Sequence, residues 1–543
     1  MDADLKPVFN HIKSKALFLK EEGSVIVSNQ GGGLGWLIDL RTTLLDAEML
    51  DRVCDAFWDR YQDKLPFQFG GMEVAAIPLV VGLMMKARQR GLDTNGFIIR
   101  KDRKKTGLGK SIEGTLTDDR IVLLDDLMNS GTSLEKARAV IEQQGKKISE
   151  VFVLIDYESS KGQYWKQSAG IPVNSFFKLS DFDLKIDTPY TRYKVHYTIE
   201  WRHYTPGGNP FHVVPKSGPL LVGDYIYFGT SSAKMICLNR HNGEVVWEYF
   251  ARGAQNNPKG IWSSPAYHDG KIYFGAYNGV VYCLDAQTGQ EIWMNGCCEW
   301  VGSSPLIVPK HNLLYIGLEY QRPRMKGSNA ALRLDNGSRV WEVGQKKYQH
   351  GSAAYYEPMD AVIFGNANHD ITAYQAKTGK TIWEYKTERS IKYPPAIDPA
   401  RKLVASSSFD GNIYINDVET GELKGAVQTD DICYSTPLFA HGKLFCGSGD
   451  RHMYIIDAES FELLHKFDCH GKVFSSPRLI DGHVVFGTTG GRILEIDPET
   501  YEIVGRAQLP DAVTNCVAAS EGADYLYART HMDEVYAIRR QKD

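Results

Sequence analysis

Several things are missing from this 543-residue chain, and each absence narrows what it can be. No run of 18 or more apolar residues occurs, so no helix is expected to span a bilayer. Neither sign of charge prevails: 62 Lys and Arg against 66 Asp and Glu leave a formal net charge of −4. That balance argues against a general nucleic-acid-binding surface, leaving only a local basic patch open. Cysteine is sparse and odd in number, nine in all. The cysteines fall mostly in strand-like runs, as reduced thiols do, and suggest no disulfide framework. The opening MDADLKPVFNHIKSK holds no apolar signal core, so a cytoplasmic location is expected. What is present, 43% hydrophobic and 24% charged residues, is the make-up of a globular protein. The length exceeds one ordinary core, and two or more domains follow.

The N-terminal chemistry gathers around Arg120-Ile-Val-Leu-Leu-Asp-Asp-Leu-Met-Asn-Ser-Gly-Thr-Ser133. Arg120 to Leu124 reads as a buried parallel strand, because four of the five residues are apolar and branched. Asp125 and Asp126 then stand at its carboxyl end, where ligands of open α/β sheets bind. Asn129, Ser130, Gly131, Thr132 and Ser133 form a short polar run, and Leu134 to Gln144 reads as a helix. Backbone N–H groups and hydroxyls at a helix start favour a phosphate, while the carboxylates suit ribose hydroxyls. The plainer alternative is a strand–turn–helix in which Asp and Ser merely serve as caps.

This run resembles the signature of the type I phosphoribosyltransferases, which use phosphoribosyl pyrophosphate (PRPP) and Mg²⁺. The resemblance implies that Asp125 and Asp126 hold the ribose and, indirectly, the metal, and that Asn129 to Ser133 hold the 5-phosphate. Upstream, residues 1–20 read as a helix, Val25 to Trp36 as a strand entering a Gly-rich turn, and Asp46 to Tyr61 as a helix. That order is similar to the front of orotate phosphoribosyltransferases. Gly70 and Gly71, ahead of a helix expected over Val74–Gly91, fall where the family has its pyrophosphate loop. Six basic residues lie between Arg100 and Lys110. A charge run of this kind is either a solvated face or a nucleic-acid patch. In the family it is the mobile loop that closes over pyrophosphate, with Arg100, Lys101 and Lys104 matching and Lys104 catalytic. Because that loop usually serves the neighbouring subunit, the resemblance implies a homodimer. The departures matter equally. Val27 stands where orotate enzymes carry Lys, and Tyr157 where they carry the Arg that meets the orotate carboxylate. A buried carboxylate without a cationic partner is costly, so an acceptor other than orotate is expected. Thr106 and Asn129 replace a His and a Thr of the family pattern.

From about residue 193 the chain repeats with a period near 40 residues, the mark of a repeat architecture. One unit, Trp262 to Trp293, reads as four short strands with turns at Asp269-Gly, Asn278-Gly and Thr288-Gly. The fourth-strand Trp occurs at Trp247, Trp293, Trp341 and Trp383 and then lapses. Seven full units fit, and an eighth, Val513–Ile538, lacks its fourth strand. Val195 to Tyr204, lying before the first unit, can supply it and close the ring without an edge. The expected fold is therefore an α/β type I phosphoribosyltransferase fold over 1–190, followed by an all-β eight-bladed propeller over 193–543. The repeat resembles the quinoprotein-like (PQQ-repeat) type, in which tryptophans and glycines pack the blades. Cys297-Cys298 is similar to the adjacent-cysteine ring of quinone dehydrogenases, yet also reads as two buried thiols. The Ca²⁺-ligand and catalytic-Asp motifs of those enzymes find no counterpart, and no quinone is expected.

Two functions are therefore in view. One is a Mg²⁺-dependent transferase using PRPP and an unknown acceptor, with the propeller binding a protein partner or regulating the enzyme. The other is a catalytically weak PRPP- or nucleotide-sensing protein that signals through a propeller-bound partner.

Overall fold

The computed structural model describes residues 3–19, 36–100, 111–129, 131–142, 144–184, 193–205, 217–253, 258–320, 326–509 and 511–542. The chain divides into two compact units, Met1–Arg192 and Tyr193–Asp543.

In chain order the first unit contains α1 (Lys6–His11), β1 (Leu17–Leu19), β2 (Trp36–Ile38), α2 (Arg41–Leu44), α3 (Ala47–Tyr61), β3 (Phe67–Met72) and α4 (Ala76–Gln89). Next come β4 (Gly96–Ile99), β5 (Ile112–Glu113), β6 (Arg120–Met128), α5 (Thr132–Glu142), β7 (Ile148–Asp156), α6 (Ser160–Ala169) and β8 (Val173–Lys178). The sheet order is β5-β4-β3-β6-β7-β8. Every pairing is parallel except that of β5 with β4. Two cores cover its faces, one built with α1, α3 and α4 and the other with α5 and Trp165 of α6. Asp46 caps α3, its Oδ1 accepting the N–H groups of Glu48 at 3.1 Å and Met49 at 3.0 Å. Met49, Val53, Ala56 and Phe57 recur at helical spacing and bury the inner face of α3.

The expected single helix over 1–20 is instead a short 3₁₀ turn, α1, a π-helical turn over Ile12–Ala16 and strand β1. Leu17 to Leu19 pair with Trp36 to Ile38 of β2, so a tertiary pairing overrides the helical pattern. The Gly-rich turn expected before Trp36 lies outside the described residues.

The second unit is an eight-bladed propeller. Six blades are consecutive four-stranded antiparallel sheets, and the last two join in one eight-stranded sheet. Strand β9 (Val195–Tyr204) supplies the outermost strand of the final blade, pairing antiparallel with Glu534–Lys542. One further bridge, Gly505 to Val195, ties β9 to the preceding blade. Within each blade the two middle strands are almost wholly buried, as in Lys271–Gly275 and Val280–Asp285.

Four fourth-strand tryptophans dock each blade on the next. The Nε1–H groups of Trp247, Trp293, Trp341 and Trp383 donate to Ala286, Leu334, Ala376 and Val418 carbonyls at 2.8–3.0 Å. Each ring lies over a turn glycine of the neighbouring blade. A Cβ on Gly289 would come within 2.6 Å of the Trp247 ring, so only glycine fits there. Trp201 of β9 repeats the arrangement at the closure, donating to Arg240 O at 3.0 Å over Gly243.

Candidate active site

In the first unit β3 leads through α4 to β4 on one side, and β6 leads through α5 to β7 on the other. The strand order thus reverses between β3 and β6, and their carboxyl ends bound the crevice where ligands of such sheets bind. Gly71 and Leu124 stand in register across the pair. Strand β6 extends past the five residues expected, because Asp125, Leu127 and Met128 pair with Val153, Ile155 and Asp156 of β7. The two carboxylates therefore sit inside the final stretch of the strand. Asp125 is 8% exposed and Asp126 half-buried.

The pair is held by backbone donors. Asp126 N–H donates to Asp125 Oδ1 at 3.0 Å and Leu127 N–H to Asp126 Oδ1 at 2.9 Å. Burial pushes the Asp126 carboxyl above its ordinary value, against its hydrogen bonds and the positive charge of Arg41. Arg41, at the start of α2, forms a two-pronged pair with Asp39, Nε to Oδ1 at 2.7 Å and Nη2 to Oδ2 at 2.8 Å. Tyr157, where the orotate enzymes carry Arg, is 8% exposed. Burial first, and then the Asp126 charge, push its hydroxyl upward, so it stands as a neutral phenol.

The loop after β6 is clamped from the side of α6. Asn129 O accepts from Ser159 Oγ at 2.6 Å, and Ser159 Oγ accepts from Gly162 N–H at 3.0 Å, which caps α6. Tyr157 N–H donates to Met128 O at 2.9 Å. Gly131 has φ +76°, and a Cβ there would come within 2.5 Å of Trp165 Cγ. Trp165 in turn donates from Nε1 to Glu135 Oε2 at 2.9 Å, and Glu135 N–H donates to Gly131 O at 2.9 Å. Asn129 and Gly131 are thus fixed ahead of the first turn of α5, with Ser133 exposed. Ser159, Trp165 and Arg41 were not evident as site residues in the sequence, since each acts through a partner distant in the chain.

Other expected site residues fall elsewhere. Gly70 and Gly71 do not form a loop: they lie inside β3, buried on both faces. A Cβ on Gly71 would reach 2.3 Å from Leu124 O and 2.4 Å from Ala76 Cβ, so close strand and helix packing demands glycine there. The turn between β3 and α4 is Glu73–Ala75. Arg100, at the end of β4, pairs with Glu113 at 3.2 Å. Lys101, Lys104, Thr106, Ser130 and Val27 lie outside the described residues, as does the side chain of Thr132. Among the described residues no group of three or more His, Cys, Asp or Glu could cage a metal. An adjacent pair of hard carboxylates does suit Mg²⁺ that arrives with substrate phosphates and retains water.

Known proteins resemble the two units separately. The orotate phosphoribosyltransferase of Tropheryma whipplei is 31% identical over 165 residues, 29% of this chain and 72% of that protein. That of Aquifex aeolicus is 27% identical over 171 residues, 31% of this chain and 92% of the relative. Residues 194–261 and 254–435 match the family described as outer membrane protein assembly factor BamB. Among solved structures, BamB from Moraxella catarrhalis aligns with a TM-score of 0.50 at 16% identity, covering 63% of this chain and 99% of that one. A europium-containing methanol dehydrogenase aligns at 0.51 and 15% identity, covering 63% and 93%. At such identities the likeness is one of fold alone. Through its N-terminal unit the chain belongs to the orotate phosphoribosyltransferase family, with a PQQ-repeat eight-bladed β-propeller fused behind it.

Proposed function

We propose that the N-terminal unit transfers a ribose 5-phosphate group from PRPP to an acceptor other than orotate. The observation that carries this reading is the placement of Asp125 and Asp126 directly before the clamped loop Asn129–Ser133 at the start of α5. The bond from ribose C1 to pyrophosphate breaks, a bond from C1 to the acceptor forms, and the acceptor's proton passes to solvent or a base. Asp125 and Asp126 hold the ribose hydroxyls, and their charge favours the positive character that C1 gains as pyrophosphate leaves. The Asn129–Ser133 loop anchors the 5-phosphate through backbone N–H groups and hydroxyls. Arg100, Lys101 and Lys104 are assigned to the departing pyrophosphate, Lys104 most directly. Mg²⁺, held through Asp125 and Asp126 and the substrate's own oxygens, supplies charge neutralisation when bound. Tyr157 supports the exclusion of orotate, because a neutral buried phenol offers its carboxylate no cation. The proposal extends to a cytoplasmic homodimer, supported by the exposed apolar stripe Val81, Met84 and Met85 on α4. The propeller is assigned a regulatory or partner-binding role.

The test is pyrophosphate release from PRPP and Mg²⁺ in a metabolite extract, with mass spectrometry for products that gain ribose phosphate. Release that vanishes in Asp125→Asn/Asp126→Asn supports the transferase. PRPP binding without release from any acceptor pool rejects it and favours the second reading, a PRPP- or nucleotide-sensing protein signalling through the propeller. The departures at Asn129 and Thr106 support that second reading.

A further inference from the structure

The propeller holds a cavity of about 560 Å³, lined mostly by residues at or just before the first strands of its blades, with Tyr277 from the turn after Lys271–Gly275. None of these residues belongs to the N-terminal site. Its size is that of a small-molecule pocket, and three features of its lining converge on one ligand chemistry.

Aromatic faces come first. Trp262 and Tyr277 pack with ring centroids 4.2 Å apart, and Tyr393 meets Tyr434 edge-on at 5.1 Å. Four large rings around one cavity form a stacking platform for a planar ring.

A hoop of hydroxyls is the second feature. Gly218 N–H donates to Ser264 Oγ at 2.9 Å, Ser264 N–H to Ser304 Oγ at 2.9 Å, and Ser304 N–H to Ser352 Oγ at 2.8 Å. Across the cavity Thr436 N–H donates to Ser476 Oγ at 2.9 Å. Ser352 Oγ also lies 3.3 Å from Ser303 Oγ, but the Ser264, Ser304 and Ser476 hydroxyls still have their own hydrogens to donate, so the hoop presents donors to an oxygen-rich ligand.

Two cations are the third. Lys392 lies with Nζ 4.7 Å from the Phe409 ring centroid, and Arg478 places Nη2 3.6 Å from Cys516 Sγ. Neither forms an ion pair within 4.0 Å among the described residues. Burial pushes the Lys392 ammonium below its ordinary value, opposed by the charge of Glu319. Glu319, fully buried, is turned toward His350, whose Nδ1 lies 3.0 Å from Oε1. Against this one buried acid the lining sets two cationic side chains, Lys392 and Arg478.

We propose that this cavity binds a nucleoside monophosphate, its base against the Trp262, Tyr277, Tyr393 and Tyr434 rings and its phosphate drawn by Lys392 and Arg478. The preference for a planar anion comes from the lining alone. The choice of a nucleotide among planar anions rests on the ribose-phosphate transfer proposed for the first unit, whose product is of this kind. The propeller thereby gains a ligand through which the transferase product can be sensed.

The experiment titrates the full-length protein with AMP, GMP, CMP and UMP, reading tryptophan fluorescence and calorimetric heat. Adenosine, uridine, inorganic phosphate and pyrroloquinoline quinone serve as comparison ligands. At least one monophosphate is expected to bind about tenfold or more tightly than its nucleoside or phosphate alone, as a charged hydrogen bond contributes on that scale. Lys392→Met and Arg478→Met should each weaken binding by a similar factor, and Trp262→Leu should remove most of the fluorescence change. The titrations are repeated in Asp125→Asn/Asp126→Asn, which removes ribose binding at the first unit, so that binding kept there belongs to the propeller cavity and is scored separately from the transfer reading. The proposal is overturned if no monophosphate binds at millimolar concentration or if the quinone binds more tightly than every nucleotide. It is also overturned if binding survives both cation variants or disappears in the double Asp variant.

Discussion

Replacing Arg540 by methionine tests how the propeller ring closes. Arg540 is 5% exposed and grips the fully buried Glu495 of the preceding blade, Nη2 to Oε1 at 2.6 Å and Nε to Oε2 at 3.0 Å. His483 Nδ1 lies 2.6 Å from the same carboxylate, and Tyr197 of β9 donates to its other oxygen. Arg540 also reaches Asp481 at 2.9 Å. One cluster therefore joins the closing strand β9, the terminal strand and the neighbouring blade. Removing the guanidinium leaves Glu495 buried without its main cation, at a cost of about 3–5 kcal/mol. Spread over a unit of roughly 350 residues, that cost lowers the melting temperature by roughly 4–7 °C. Differential scanning calorimetry of Arg540→Met, Glu495→Gln and the double variant measures it. Because each single change strands the other partner, the double variant should lose clearly less than the sum of the two. A melt within a degree of the parent, or strict additivity, would refute the closure argument. Acid should act on the same cluster. Burial raises the Glu495 carboxyl, but the hydrogen bonds of Arg540, Tyr197 and His483 outweigh it and hold the group below its ordinary value. Its stabilisation is thus fully present above about pH 4.3, the unfolded carboxyl value. It is lost as pH falls through the lower folded value, and Glu495→Gln should flatten that stretch of the stability profile.

Asp125→Asn/Asp126→Asn should abolish pyrophosphate release while leaving the circular dichroism spectrum unchanged; release at the parental rate would dismiss both residues from the chemistry. Gly131→Ala should weaken PRPP binding about tenfold or more in calorimetry, since left-handed backbone costs roughly 1–2 kcal/mol before the contact with Trp165 is added. Trp341→Ala, which empties an inter-blade dock and leaves the Ala376 carbonyl with Tyr315 as its remaining side-chain donor, should destabilise the propeller by about 3–5 kcal/mol in denaturant unfolding. Phe461→Gly should also destabilise the propeller, by less, because relief of its left-handed backbone partly offsets the lost ring.

The lapse of tryptophan after Trp383 shows where periodicity stops being informative. In the next blades Gly425, His465 and Gly505 occupy the fourth-strand positions paired with Ile415, Ile455 and Glu495. The facing turn positions, glycine elsewhere, become Phe461 and Tyr501, both at positive φ. Phe461 lies over Gly425, where a Cβ would meet its own Cβ at 2.7 Å, and the Tyr501 ring stacks on His465 at 5.1 Å. Over Gly505 it is Tyr197 of β9 that fills the space. The aromatic ring has moved to the other side of the same interface. A repeat count registers only a missing tryptophan, because interface volume is shared between two blades and belongs to neither segment.

What the sequence determined by itself is local and periodic. It set the buried parallel strand ending in two carboxylates, the polar loop before a helix, the blade repeat and the strand that completes the last blade. Those follow from side-chain spacing and turn chemistry, which act between near neighbours in the chain. The tertiary structure alone decided that Leu17–Leu19 is a strand, that Gly70 and Gly71 lie within a sheet, and that Trp201 closes the ring. It also set Ser159 and Trp165 against the polar loop after β6 and brought Lys392, Arg478 and four aromatic rings around one cavity. Such contacts join residues tens to hundreds of positions apart, and no local pattern records them because their energy exists only once the chain has folded.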